Sequence, residues 1–318
     1  MNKKILFLVV LLAVGYIFLK PLLFSTNKTT NSTSVSTTSQ MDTESTTENV
    51  TYGHVHALFQ LPDKTLLMGT HHGLFKSIDQ GTVFQKIVIK GTEAEDFMNF
   101  AYDQTNKILY AGGHDVGVVK STDGGVTWTK TDNGIKGTDI HALAINSLET
   151  NRLYAFSVDN GVFGTKDGAK TWYRIDDGPI NPSVRAFGYM ATPSSMDRGM
   201  KTDKTTNIGY LWAGTSGGLY SSFACFCGWT KTSGISDNAT IYTLAPDPVN
   251  KSTMLAGTKD GIYKTTDEGK KFTQINSDIK DVAAITFDLN NATVLYAAES
   301  NGTVYKSEDG GNSWNKVQ

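Results

Sequence analysis

Ser121-Thr122-Asp123-Gly124-Gly125-Val126-Thr127-Trp128 decides the fold of this chain. The same pattern, Ser/Thr-x-Asp-x-Gly-x-Thr-Trp, returns as Ser307-Glu308-Asp309-Gly310-Gly311-Asn312-Ser313-Trp314. Worn copies occupy 77–84, 165–172 and 265–272. A sixth, 222–229, keeps Ser222 and Trp229 but has Ala224 where the aspartate belongs. The aspartates Asp79, Asp123, Asp167, Asp267 and Asp309 follow one another at intervals of 44, 44, 100 and 42, and the long interval holds the degenerate copy. A period in the low forties is that of one four-stranded propeller blade.

The residues between boxes agree. Stacked helical hairpins of this length would repeat apolar residues at i, i+3 and i+4. These units instead show short alternating runs broken by Gly and Asp, such as Leu109-Tyr110-Ala111-Gly112 and Gly117-Val118-Val119-Lys120. In the third unit the runs 140–145, 152–156, 161–165 and 172–175 read as four strands, with the box in the hairpin between the last two. Within a box the Ser/Thr hydroxyl and the Asp carboxylate can bond nearby backbone groups. The Gly permits positive φ, and the aromatic residue can bury itself at the blade edge. The boxes therefore read as staples of the fold. The sequence predicts an all-β chain, a six-bladed β-propeller over 53–318, closed by packing between blades 1 and 6 without a shared strand.

Two segments precede it. Lys3 and Lys4 lead into an apolar run, 5–24, interrupted by Lys20 and Pro21. Roughly 20 residues are needed to span the hydrocarbon as a helix. No Ala-x-Ala cleavage site follows the run, so 1–24 reads as a single-pass signal anchor that places the remainder outside the cytoplasm; secretion after cleavage is the alternative. Residues 25–52 are dominated by Ser, Thr and Asn, which bury too little apolar surface to fold, and read as a disordered linker. Lys and Arg total 29 against 31 acidic residues and form no stripe, which gives no electrostatic case for nucleic acid. Cys225 and Cys227, the only cysteines, sit in the decayed box, where a disulfide, a thiol pair and plain packing are all open. No cofactor motif occurs.

Propeller topology sorts the loops onto two faces. The boxes share a face with the turns between first and second strands. The opposite face carries the turns between second and third strands and the crossings between blades. All six histidines map to that second face: His54, His56 and His141 at the starts of first strands, His71, His72 and His114 in the turns. Aligning the units places His56, Met98, His141, Arg185, Tyr242 and Ala283 at one position, expected to ring the channel mouth. Asp115, Asp159, Asp260 and Glu299 fall in the matching turns, and Glu93, Glu95 and Asp96 in the crossing into unit two. Ligand binding is therefore assigned to His54, His56, His71, His72, His114, His141, Arg185 and Tyr242. Histidines beside carboxylates can hold a metal, relay protons or bond a sugar; no two of them have a spacing diagnostic of a metal site. The insertion 192–207 falls on the box face.

The boxes resemble the Asp-box (BNR) repeats of sialidases, xyloglucanases, sortilin-type receptors and photosystem II assembly factors. The resemblance covers about 53–318 and implies the fold far more than any activity. Bacterial proteins of this layout are often labelled glycosyl hydrolase-like. Sialidases clamp a substrate carboxylate with three arginines from separate blades, the first in Arg-Ile-Pro. This chain has only Arg152, Arg174, Arg185 and Arg198, all in units three and four, and no Arg-Ile-Pro. Xyloglucanases use a cleft between two propellers, and this chain has one. Two readings follow: a membrane-tethered module that binds a glycan or an exported protein at the channel mouth, or a non-sialidase glycoside hydrolase. The second would draw its carboxylate pair from Asp115 with Glu95, Asp96 or Asp159, about 5–9.5 Å apart.

Overall fold

A computed structural model describes residues 52–93, 95–191, 209–223, 226 and 228–318. The apolar run at 5–24, linker residues 25–51, the insertion at 192–207 and both cysteines lie outside the described residues; Tyr52, assigned to the linker, instead packs into the fold. The rest forms six antiparallel four-stranded sheets, each built from consecutive strands. The innermost strands of blades 1 to 6 are Val55–Gln60, Phe97–Asp103, Ile140–Ile145, Val184–Ala191, Ile241–Pro246 and Val282–Asp288. Each packs on the next, and the first packs on the last, so the ring is closed.

Burial explains the composition of each strand. Second strands are covered on both sides by neighbouring blades, and Leu66–Thr70, Leu153–Ser157 and Met254–Thr258 are buried throughout. They read as continuous apolar runs with no solvent face to alternate against. Four of the six outermost strands are two exposed residues long: Gln85–Lys86, Thr129–Lys130, Thr230–Lys231 and Asn315–Lys316. Each ends in Lys, and two residues bearing a charge make a poor template for a foreign strand. In blade 3 the second strand, Leu153–Ser157, lies one residue later than the sequence pattern places it, and the fourth, Tyr173–Ile175, starts one residue later.

The core is divided by joint. Six hydrophobic clusters each join residues of adjacent blades, as where Leu67 and Leu74 of blade 1 meet Leu109, Val119 and Trp128 of blade 2. The box builds these joints. Ser121 Oγ donates to Asp123 Oδ1 (2.7 Å) and accepts from Gly125 N–H (2.9 Å). Asp123 Oδ1 also accepts from Thr127 N–H (2.8 Å). The same hydroxyl–carboxylate bond recurs at Ser77–Asp79, Thr165–Asp167, Thr265–Asp267 and Ser307–Asp309. The pinned turn drives its aromatic residue into the joint: Phe84, Trp128, Trp172 and Phe272 are all buried. Burying one such ring removes roughly 150–250 Å² from water, about 4–6 kcal/mol gross at 25 cal/mol per Å². That exceeds the ~1 kcal/mol net of each turn bond, so the bonds chiefly aim the ring. In the decayed box Ser222 Oγ donates instead to Gly228 O (2.8 Å).

Blades 1 and 6 share no strand. Their joint contains Tyr52, Val55, Leu58, Tyr296, Ala298 and Val304. Polar ties cross it as well: Gln60 N–H donates to Thr286 Oγ1 (3.1 Å), Val55 N–H to Ser300 O (2.9 Å), Gln318 Nε2 to Tyr52 OH (2.6 Å), and Lys64 pairs with Asp288. Side-chain packing and these bonds substitute for the missing shared strand, as the repeat boundaries predict.

Candidate functional site: the histidine face

The six aligned positions have a common structural cause. In every blade the pairing of first and second strands slips between Val55/Ala57, Phe97/Asn99, Val184/Ala186, Ile241/Thr243 or Val282/Ala284; in blade 3 the slip lies opposite His141. His56, Met98, His141, Arg185, Tyr242 and Ala283 are therefore the bulged residues of their strands. A bulge adds one residue on one side of a pair and re-aims its side chain. His56, Met98, Arg185 and Tyr242 line the central channel, whose wall continues through Phe100, Leu143, Phe187 and Leu244. Neither Ala283 nor His141 lines it; His141 turns into a cluster at the rim.

Five of the six histidines join in one network. His54 stacks on His56 with ring centroids 4.8 Å apart, and His56 Nε2 lies 3.0 Å from His71 Nε2. His71 Nδ1 and His114 Nδ1 both donate to Asp96 Oδ2, at 2.7 and 2.8 Å. A carboxylate can only accept, so these bonds fix the proton of each ring on Nδ1. A neutral ring then presents a lone pair at Nε2. His114 Nε2 lies 3.1 Å from His141 Nε2, which is 3.2 Å from Asp139 Oδ1. His72 instead packs against Gly53.

The electrostatics follow from burial. Desolvation lowers His56 to about 3, and His71 and His54 push it the same way against the opposing pull of Asp96. His56 is thus neutral at ordinary pH. His141 is also lowered, first by burial, with His114 and Arg185 acting in the same sense and Asp139 against. Burial pushes the Asp96 carboxyl up, but its bonds from His114 and His71 outweigh that and hold it below the usual carboxylate range.

None of the carboxylates proposed for catalysis lines the channel. Glu95 turns to Lys86 (2.9 Å). Asp96 is locked between two imidazoles. Asp159 stands exposed, and Asp115, at φ 58°, accepts from Thr138 Oγ1 at 3.4 Å. The arginines do not converge either. Arg152 pairs with Glu149 on the box face, Arg174 with Asp176 beyond the outer strand of blade 3, and Arg185 stands at the channel mouth; Arg198 lies outside the described residues. Asp139 is the site residue that sequence reasoning missed. Asp139-x-His141 carried the signal, because residues two apart at the start of a strand share a face.

Comparison with known proteins gives the family. The family described as "Photosynthesis system II assembly factor YCF48" matches residues 29–318. A xyloglucanase of Hypocrea jecorina (strain QM6a) is 28% identical over 138 residues, 41% of this chain and 16% of the enzyme. Among solved structures, the GH74 xyloglucanase of Xanthomonas campestris aligns with TM-score 0.57 and 14% identity over 85% of this chain and 55% of that one. The GH74 enzyme of Niastella koreensis aligns with TM-score 0.53 and 20% identity over 83% and 47%. The chain spans about half the length of these structures, and likeness at such identity concerns the fold alone.

Proposed function

We propose, from the premise that this chain belongs to the photosystem II assembly factor YCF48 family, that it is an extracytoplasmic recognition module that binds a partner at its channel mouth. The partner is an exported protein or a glycan, and the 1–24 segment tethers the module to the membrane. The observation that carries the reading is the ring of bulges. The six equivalent bulged positions carry His56, Met98, His141, Arg185, Tyr242 and Ala283 rather than six of a kind, and four of them, His56, Met98, Arg185 and Tyr242, line the channel. A purely structural bulge has no need of such variety. Arg185 and Tyr242 supply a cation, a hydroxyl and an aromatic face, the groups enriched where protein surfaces bind tightly.

The test is site-specific crosslinking in cells. A photoreactive residue replacing Tyr242 should yield a discrete adduct, and one replacing Lys170 on the box face should not. Arg185→Ala should reduce the Tyr242-position adduct at least tenfold with the melting temperature unchanged. Adducts from the box face alone would place binding on the wrong side.

The similarity to a xyloglucanase favours a second reading, glycoside hydrolysis at the same face. Such an enzyme needs an acid with raised pKa beside a second carboxylate. Asp96 is shifted the opposite way, so the pair in this reading is Asp115 with Glu95 or Asp159. In this reading Asp115→Asn abolishes release of sugar from xyloglucan oligosaccharides while retaining their binding. Absence of turnover by the wild-type protein sinks it.

A further inference from the structure

Three atoms at the rim between blades 2 and 3 stand in an arrangement that hydrogen bonding does not account for. His114 Nε2, His141 Nε2 and Asp139 Oδ1 lie 3.1, 3.2 and 3.7 Å from one another. Asp139 Oδ1 is buried and accepts no hydrogen bond, although two imidazole nitrogens are this close. The His114 proton is committed to Asp96, which leaves a lone pair on Nε2. The His141 ring is hydrogen-bonded to the Val184 backbone in a way that favours the protonated ring, so a ring N–H is the donor there. With Nε2 turned to His114 and Asp139, Nδ1 is the nitrogen left for that bond. Two lone pairs and one carboxylate oxygen therefore converge on a common point with no proton to share.

We propose that His114 Nε2, His141 Nε2 and Asp139 Oδ1 form a binding site for one divalent transition-metal ion of the zinc class, with Asp96 orienting His114 from behind. The distances fit. A point about 2.0–2.1 Å from all three atoms, the zinc–ligand bond length, lies about 0.5–0.8 Å out of their plane given the separations above. An ideal tetrahedral ion stands about 0.7 Å above the plane of three of its ligands. The fourth position is left for water or for a donor atom of a bound partner. Nitrogen and carboxylate donors together suit zinc and its neighbours better than calcium or magnesium. The Asp96–His114 bond is the carboxylate–histidine support that metal-bound imidazoles ordinarily have. Arg185 faces His141 and opposes a cation; Asp139 and Asp96 offset it.

A second triad, His56, His71 and Asp96, fits less well. His56 Nε2 and Asp96 Oδ1 are 4.0 Å apart, so an ion with bonds of about 2.0 Å would have to lie on the line between them. Asp96 Oδ2 is already occupied by two N–H donors.

The site needs no partner for its test, so its failure would leave the binding proposal standing. Purified full-length protein, stripped with chelator, is titrated with Zn²⁺ by calorimetry and with Co²⁺ by visible absorption. One equivalent should bind, and Co²⁺ should give the intense bands of a tetrahedral site. His114→Ala, His141→Ala and Asp139→Ala should each weaken Zn²⁺ binding at least 100-fold with the circular dichroism unchanged. Asp96→Asn should weaken it about 10–100-fold, and His56→Ala and His71→Ala less than threefold. X-ray absorption at the zinc edge of the wild-type protein requires no variant and should count two imidazoles. No stoichiometric binding at 100 µM Zn²⁺, a different imidazole count, or a loss that follows His56 and His71 would overturn the assignment.

Discussion

The fifth residue of each box tests whether the repeats act as joints between blades. It is Gly81, Gly125, Ala169, Gly269 and Gly311 in five of the six boxes, and its N–H donates to the box hydroxyl each time. Ala169 adopts φ 65° and is fully buried, so the position accepts a methyl group where room exists. Gly269 has φ 80°, and a Cβ there would lie 2.2 Å from two ring atoms of Trp212 in blade 4, itself buried. At Gly125 the nearest atoms to an added Cβ are Leu67 Cδ1 at 3.3 Å and Leu74 Cδ2 at 3.5 Å. Gly125→Ala should therefore cost only the backbone term, about 1 kcal/mol. Gly269→Ala adds a steric overlap of about 1–3 kcal/mol, for a total of about 2–4 kcal/mol. At roughly 2–4 °C per kcal/mol for a domain of this size, its melting temperature should fall by about 4–15 °C. Trp212→Leu should relieve the overlap. Its indole N–H is buried without a partner, so the substitution loses no hydrogen bond. Thermal and urea unfolding of both single variants and the double variant should give a favourable coupling of about 1 kcal/mol or more. If the two glycine variants match within error, or the double variant is the sum of the singles, box and neighbouring blade are not docked as described.

Two further expectations follow from the boxes and the termini. Side-chain and backbone bonds from Thr171, with Thr165, hold Asp167 at about 2, and those from Ser313, with Ser307, hold Asp309 at about 2. A carboxyl lowered in the folded state stabilises it fully above the unfolded value near 4 and loses that contribution as pH falls through the folded value. The stability gap between wild type and Asp167→Asn should therefore narrow between pH 4 and 2; a gap constant from pH 7 to 2 would disprove the assignment. Cell fractionation should recover the protein with membranes and with its N-terminal segment intact, whereas a soluble product beginning near residue 25 would make 5–24 a cleaved signal.

What could be read from the sequence is what repeats. Each intact box pins a ring with hydroxyl and carboxylate bonds reaching at most four residues, as from Ser121 to Gly125, so residue order alone carries it. Blade count and the sorting of loops follow from strand alternation, and that placed every histidine on one face. Which histidines meet depends on how blades are set against one another. His114 and His141 belong to different blades, 27 residues apart, and no local rule gives the angle between two sheets. The bulges were hidden for a related reason, because a register slip is a property of a strand pair and both partners look regular when read singly. Asp139 shows the consequence. On the strand period it pairs with His141, yet without the bulge that turns His141 out of the channel there is no reason to single it out among the acidic residues of the crossings. The carboxylates that sequence reasoning did favour, Asp115 and Asp159, lie in turns that suit Asp for conformational reasons alone, and Asp115 at φ 58° adopts a backbone that Asp tolerates well. A chemical role on this face is thus better sought where side chains from two blades leave a lone pair uncommitted, at Asp139, than where a single turn explains its own residue.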